Sequence, residues 1–174
     1  MAYIYNAAGV ANAQVNLEIQ TTANTAGNLS VTGLQDVTVN NANDVFTWEQ
    51  LDTGSKLQVP TTATNSITTN LVLDQAIFFG ANASAAKGDT ATDQGIFGLS
   101  KNKTKVNFAL YFGDEDDGTA GPEITGQGYI TGLAPTVSAG APVWVSPVTL
   151  TVDGDYTPQI DVADGNIGIA DESF

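Results

Sequence analysis

Three segments in the second half of the chain alternate apolar and polar residues at period two, and this alternation constrains the fold more than any other feature. In Lys105–Phe112, the side chains of Val106, Phe108, Leu110 and Phe112 face one way, and those of Lys105, Asn107, Ala109 and Tyr111 the other. In Gln127–Leu133, Gly128, Ile130 and Gly132 alternate with Gln127, Tyr129, Thr131 and Leu133. In Pro147–Asp153, Val148, Leu150 and Val152 alternate with Pro147, Thr149, Thr151 and Asp153. Successive side chains of a strand leave opposite faces, so each segment predicts a strand with one face for a core and one for a polar environment. Repeated glycines weaken the middle strand unless another backbone or side chain packs close there.

One amphipathic helix precedes these strands. Thr90 and Asp93 have the spacing of a capping box, and Asp89 is also available to the first free N–H groups. Thr92, Ile96 and Leu99 form one stripe, with Phe97 beside it. Gly95 and Gly98 each cost about 1 kcal/mol against Ala, so the helix needs a sheet to dock on. Lys101 and Lys103 follow its end, where cations complement the helix dipole.

The first half predicts further short strands. Val15, Leu17 and Ile19 alternate with polar residues over Ala13–Gln20, followed by short runs over 28–34 and 36–41. Val45–Leu51 and Lys56–Val59 read as a hairpin turning at Asp52–Ser55, with Pro60 ending the second strand or marking a sheet edge. Phe46 and Trp48 share one side of that hairpin, as core residues of this domain or as anchors on a neighbour. The alternation resumes over 66–80, with Ile67, Thr69, Leu71 and Leu73 on one face and Thr68, Asn70, Val72 and Asp74 on the other. Residues 81–88 have the composition of a linker. About eight to ten short strands and one helix define a mainly β chain, a sandwich or barrel of antiparallel strands with a single flanking helix. We expect one domain over 1–157 with a hairpin arm at about 40–66, then a C-terminal arm over 158–174. That arm keeps Ile160, Val162, Ile167, Ile169 and Phe174, too apolar for an ordinary disordered tail and suited to docking on a neighbouring subunit.

Composition narrows function. Only 14% of residues are charged, against about 25% in an ordinary domain, so Thr, Asn, Gln, Ser, Ala and Gly must cover much of the surface. Such a surface is desolvated at lower cost than one of Lys and Glu, which favours broad contact with partners. There are 19 acidic residues against five lysines and no arginine, for a net charge of −14. Nucleic-acid binding depends on cations that neutralise phosphates, so specific DNA or RNA binding is excluded. The chain has no His and no Cys, which removes the usual triads, thiolate nucleophiles and zinc sites. The acidic loop Gly113–Gly121 fails the EF-hand pattern at both ends, because Gly113 and Ile124 occupy the first and last ligand positions. Asp153, Asp155, Asp161, Asp164, Asp171 and Glu172 have neither calcium-loop spacing nor a fixed pairing across a cleft. We therefore expect no catalytic, cofactor or metal residues. The N-terminal residues have no basic segment before a long apolar run, and no stretch is apolar enough to span a bilayer, so no signal or membrane anchor is expected.

The order of these pieces resembles the tail tube (major tail) proteins of long-tailed bacteriophages. The similarity rests on the helix opened by Asp89-Thr-Ala-Thr-Asp-Gln-Gly95, then Lys105–Asp114, Gly126–Leu133 and Val148–Asp155. Leu34–Val39, the Val45–Val59 hairpin and Ile67–Leu73 extend it more loosely. The resemblance implies a structural virion protein, not an enzyme, assembled in the host cytoplasm into stacked hexameric rings of a tail tube. It implies a lumen through which DNA passes unbound, lined by polar positions such as Thr68, Asn70, Asn107, Gln127, Thr131, Thr149 and Thr151. It implies subunit contacts through the hairpin arm (Phe46, Trp48, Leu57, Val59), the helix end (Lys101, Lys103) and the C-terminal arm (Ile160, Ile167, Ile169, Phe174). Implied partners are further copies, a tape-measure protein, and the sheath, tail terminator and baseplate proteins. Two alternatives share many of these features: a tube protein of a type VI or extracellular contractile injection system, and an acidic capsid-decoration or adhesin β-sandwich.

Overall fold

A computed structural model describes residues 15–49, 56–81, 90–112, 123–140 and 143–159. The strands are β1 (Val15–Thr21), β2 (Leu29–Val31), β3 (Leu34–Glu49), β4 (Lys56–Val72), β5 (Val106–Phe112), β6 (Glu123–Leu133), β7 (Val145–Val152) and β8 (Thr157–Gln159). Two helices, α1 (Gln75–Phe79) and α2 (Ala91–Asn102), lie between β4 and β5. All strands join one antiparallel sheet in the order β2-β1-β5-β6-β7-β4-β3. β8 pairs the start of β6, so β7 and β8 follow one another along the same edge of that strand.

The chain path requires this sheet to curl. β2 and β3 end the sheet on opposite sides, yet only Thr32 and Gly33 separate them in sequence. The two ends must therefore approach one another, giving a barrel with one unzipped seam. A groove of about 520 Å³ marks the seam, lined by residues that include Val31, Gly33, Leu34 and Phe112.

The inner face holds the core. Leu17 and Ile19 of β1 meet Leu110 and Phe108 of β5, and Ile130 of β6 meets Leu150 of β7, which meets Ile67 of β4. Phe78, Ala91, Ile96 and Leu99 of the helical segment join the same buried cluster. The period-two pattern of β7 and of the second half of β6 thus selected the buried face correctly, whereas in β5 the opposite face, with Asn107 and Ala109, is buried as well. The glycines of β6 have the close neighbours that the pattern demanded. A Cβ on Gly126 would lie 2.8 Å from the Phe108 ring, and one on Gly128 2.4 Å from the Thr151 carbonyl oxygen.

Several expectations change. The short strand read over 36–41 and the described part, 45–49, of the one read over 45–51 belong to a single strand, β3, which continues through a bulge between Asn43 and Val45. Pro60 lies opposite Val45 and does not end β4; the missing N–H is tolerated because β4 has only β3 as a neighbour there. Residues after Val72 leave the sheet and form α1. Asp74 caps it, its Oδ1 accepting from the N–H groups of Ala76 and Ile77 at 2.9 and 3.2 Å. Residues 158 and 159, assigned to the C-terminal arm, belong to β8.

The cap of α2 forms as expected. The Thr90 hydroxyl accepts from the Asp93 N–H at 3.1 Å and donates to the Asp93 carboxylate at 2.8 Å. Gly95, however, is no helical glycine. It kinks α2 at φ 62°, ψ 175°, where its backbone abuts Gly80, and a Cβ there would lie 2.3 Å from the Gly80 nitrogen. The glycine is required by this crossing, so its low helix propensity is beside the point. Phe97, read beside the apolar stripe, is 42% exposed.

Candidate assembly surfaces

The face of the sheet opposite the core is an accessible polar surface over β3, β4, β7 and the second half of β6, and the strand register shows its extent. Thr38 of β3 lies beside Thr68 of β4, and Thr68 beside Thr149 of β7. Thr151 lies beside Tyr129 of β6, and Gln127 beside Asn107 of β5. Side-chain bonds stitch it: Asn70 Nδ2 donates to Asp36 Oδ2 at 2.7 Å, and the Thr131 and Thr151 hydroxyls are 2.8 Å apart. Thr68, Asn70, Gln127, Thr131, Thr149 and Thr151 are all at least partly accessible on this face. Asn107 shares it by register but is only 1% exposed, and both its amide atoms lack a partner, so it is not part of the open surface.

Two ionisable groups border this face. Burial raises the carboxyl pKa of Glu123, and its Oε1 has no hydrogen-bond partner. Lys105 pairs with Asp153 at 2.8 Å, and that hydrogen bond holds its ammonium group above the usual lysine range.

The second surface is the arm. β4 pairs with β7 only from Ser66 onward, so residues 56–65 pair with β3 alone. At about 3.3 Å per residue this ribbon extends roughly 33 Å beyond the three-stranded region. Phe46 lies opposite Val59 and Trp48 opposite Leu57, which places all four on one side of the ribbon. Phe46 is 60% exposed, and its ring stacks on Trp48 with centroids 5.8 Å apart. The reading that put Phe46 and Trp48 in this domain's own core is therefore corrected: the ribbon carries them past the core.

The third surface lies on the helical pair. Phe79 of α1 is 52% exposed, and its ring centroid is 5.9 Å from that of Phe97 on α2. Phe97 and Lys101 are four residues apart on α2 and share a face. Lys103, at the left-handed C-cap, is also exposed. A fourth exposed group, Val137, Val143 and Trp144, lies in the β6–β7 connection. Sequence reasoning passed over Phe79 and Trp144 because neither belongs to an alternating run. Phe79 was readable, since Asp74 precedes four apolar or small residues with no alternation and Gly80 follows them.

Ile160, Ile167, Ile169, Phe174, Lys87, the turn at 52–55 and the acidic loop at 113–121 lie outside the described residues. Among the described residues, no group of three or more His, Cys, Asp or Glu could hold a metal ion, and no helix is long and apolar enough to cross a membrane.

No family model and no curated protein matches the sequence. Solved structures match the fold. The chain is similar to the SPP1 tail tube subunit at TM-score 0.58 and 13% identity, covering 84% of this chain and 78% of that one. It is similar to a subunit of the tail of an empty gene transfer agent particle, refined with C6 symmetry, at TM-score 0.55 and 13% identity over 82% and 95% of the two chains. A chain of the sheath/tube terminator of the extracellular contractile injection system PVC gives TM-score 0.53 and 13% identity over 91% and 99%. A mainly β sheet curled around one core, with a helical segment beside it, is thus a fold shared with chains of a phage tail tube, a gene transfer agent tail and the terminator of a contractile injection system.

Proposed function

We propose that this chain is the subunit of a phage tail tube, a structural virion protein that assembles with copies of itself into stacked hexameric rings. The observation that carries this reading is the amphipathic sheet within the tail-tube fold: its inner face packs a core, and its outer face presents threonines and amides over β4, β7 and β6. Pairing between copies would cover the outer edge of β3, which has no strand partner among the described residues, and closing a ring removes such edges altogether. Six-fold symmetry follows the gene transfer agent tail that shares the fold.

In such a ring the polar face, with Thr68, Asn70, Gln127, Thr131, Thr149 and Thr151, lines the lumen. These six side chains are neutral, Asp36 beside Asn70 is acidic, and the chain as a whole carries −14 without one arginine, so this face offers passing DNA no cationic wells to hold it. A tape-measure protein would occupy this lumen during assembly in the host cytoplasm, and terminator, baseplate and any sheath proteins would meet the finished tube in the virion tail. The role is structural, not catalytic. The likeness to the PVC terminator supports a second reading, a tube of a contractile injection system with the same wall and a protein cargo.

Negative-stain microscopy of the purified protein over rising concentration tests the proposal. Rings or tubes with an open centre are expected. Small featureless particles at every concentration would exclude a tube subunit and leave the decoration or adhesin sandwich.

A further inference from the structure

The two exposed aromatic patches of one chain are complementary, and we propose that they are the two halves of a single contact between copies. Phe46 and Trp48 on the arm of one copy seat on Phe79 and Phe97 on the helical pair of the next. The proposal rests on the self-assembly reading above and assigns its contact.

Four observations support the pairing. The arm cannot satisfy its own apolar side: two-stranded ribbons are marginal in water, and Phe46, Trp48, Leu57 and Val59 line the face that the domain's core does not reach. The receptor is of matching chemistry, two tilted phenylalanine rings 5.9 Å apart, each about half exposed. Charge then selects between candidate receptors. Copies carrying −14 repel, so they dock best where one copy offers cations. Lys101 shares the face of Phe97 and Lys103 follows at the helix end, whereas the arm is flanked by Asp44 and Glu49, with Lys56 opposite Glu49. The other exposed apolar group, Val137, Val143 and Trp144, lies in the connection 134–144, which has no charged residue to attract an acidic arm. Finally, the two patches differ, so the contact is head-to-tail. Repeating it produces a closed ring or an open stack, not a self-limiting two-fold dimer.

The absence of cysteine in this chain makes a clean test possible. The variants W48C, at a half-buried site, and F97C and W144C, at exposed ones, are purified, shown to melt like wild type, mixed in pairs under assembly conditions and oxidised. The proposal expects W48C with F97C to give a covalent dimer in high yield, and the double variant W48C/F97C to give a ladder of oligomers. A 48–144 or 48–48 cross-link in place of 48–97 would overturn it, by assigning the arm to the β6–β7 connection or to a second arm. Failure of 48–97 while microscopy shows wild-type tubes would overturn the contact alone. Failure of wild type to assemble at all would overturn both the contact and the tube. As a second measurement, K101E/K103E should weaken assembly at least tenfold in critical concentration, and E49K should restore part of it. Unchanged assembly of K101E/K103E would count against the charge pairing.

Discussion

The body of the sheet and the arm that leaves it are built from the same residue types and end in opposite environments. In the body, Phe108 of β5 is wholly buried between Ile19 and Gly126; in the arm, Phe46 of β3 is 60% exposed beside Trp48. The difference is one of neighbours. β5 has a strand on each side, whereas the outer ten residues of β4 have β3 alone. An apolar side chain is buried by the sheet that surrounds it, so the same sequence pattern gives a core where strands are shared and an interface where they run on unaccompanied.

This contrast can be broken from the body first. Phe108→Ala removes a fully buried ring that also fills the space over Gly126, and should cost about 3–5 kcal/mol of unfolding free energy by urea titration. A loss under 1 kcal/mol would show that β5 is not the core strand. Gly95→Ala tests the helical segment that closes the core. With positive φ and a Cβ 2.3 Å from the Gly80 nitrogen, it should cost about 2–3 kcal/mol. A regular helix through this position would instead gain from alanine.

Glu123 sharpens the boundary between core and polar face. Burial raises its pKa in the folded state above its value in the unfolded chain, so between the two values the folded state holds more proton. Stability from this group is therefore present at low pH, declines as pH rises through that window and stays reduced above it. Glu123→Gln should raise the melting temperature relative to wild type more at about pH 7 than at about pH 4. An equal change at both would place the carboxylate in water.

What sequence alone conveyed divides along the same line. Strand β7 and the second half of β6 were legible because each has one wet face and one dry face, and binary alternation records that difference; β5 alternates in sequence although both of its faces are covered. The cap of α2 was legible because Thr90 and Asp93 act within one turn. The long β3–β4 ribbon was not: a bulge at Asn43–Val45 and a proline at position 60 are local stop signals that a two-stranded ribbon tolerates. Helix α1 was hidden by the alternation of β4, which continues to Leu73 after the strand has ended. For the candidate surfaces, the apolar side of the arm was readable as a set, but not its exposure, since exposure depends on which strands fail to arrive. Asn107 shows the converse, a polar position placed on the right face and then covered.

The smallest effect on folding should accompany the largest effect on assembly. Phe46→Ser/Trp48→Ser changes one exposed and one half-buried residue of the two-stranded arm, away from the core cluster, and should alter the stability of the isolated subunit by no more than about 0.5 kcal/mol. The central claim is that the arm is an assembly surface attached to an independently folded body, and sedimentation velocity of this variant beside wild type tests it most directly. The account predicts equal melting temperatures, with fast-sedimenting tubes for wild type and only subunits for the variant at the same concentration. Tubes formed equally by both proteins, or a variant that unfolds, would contradict it.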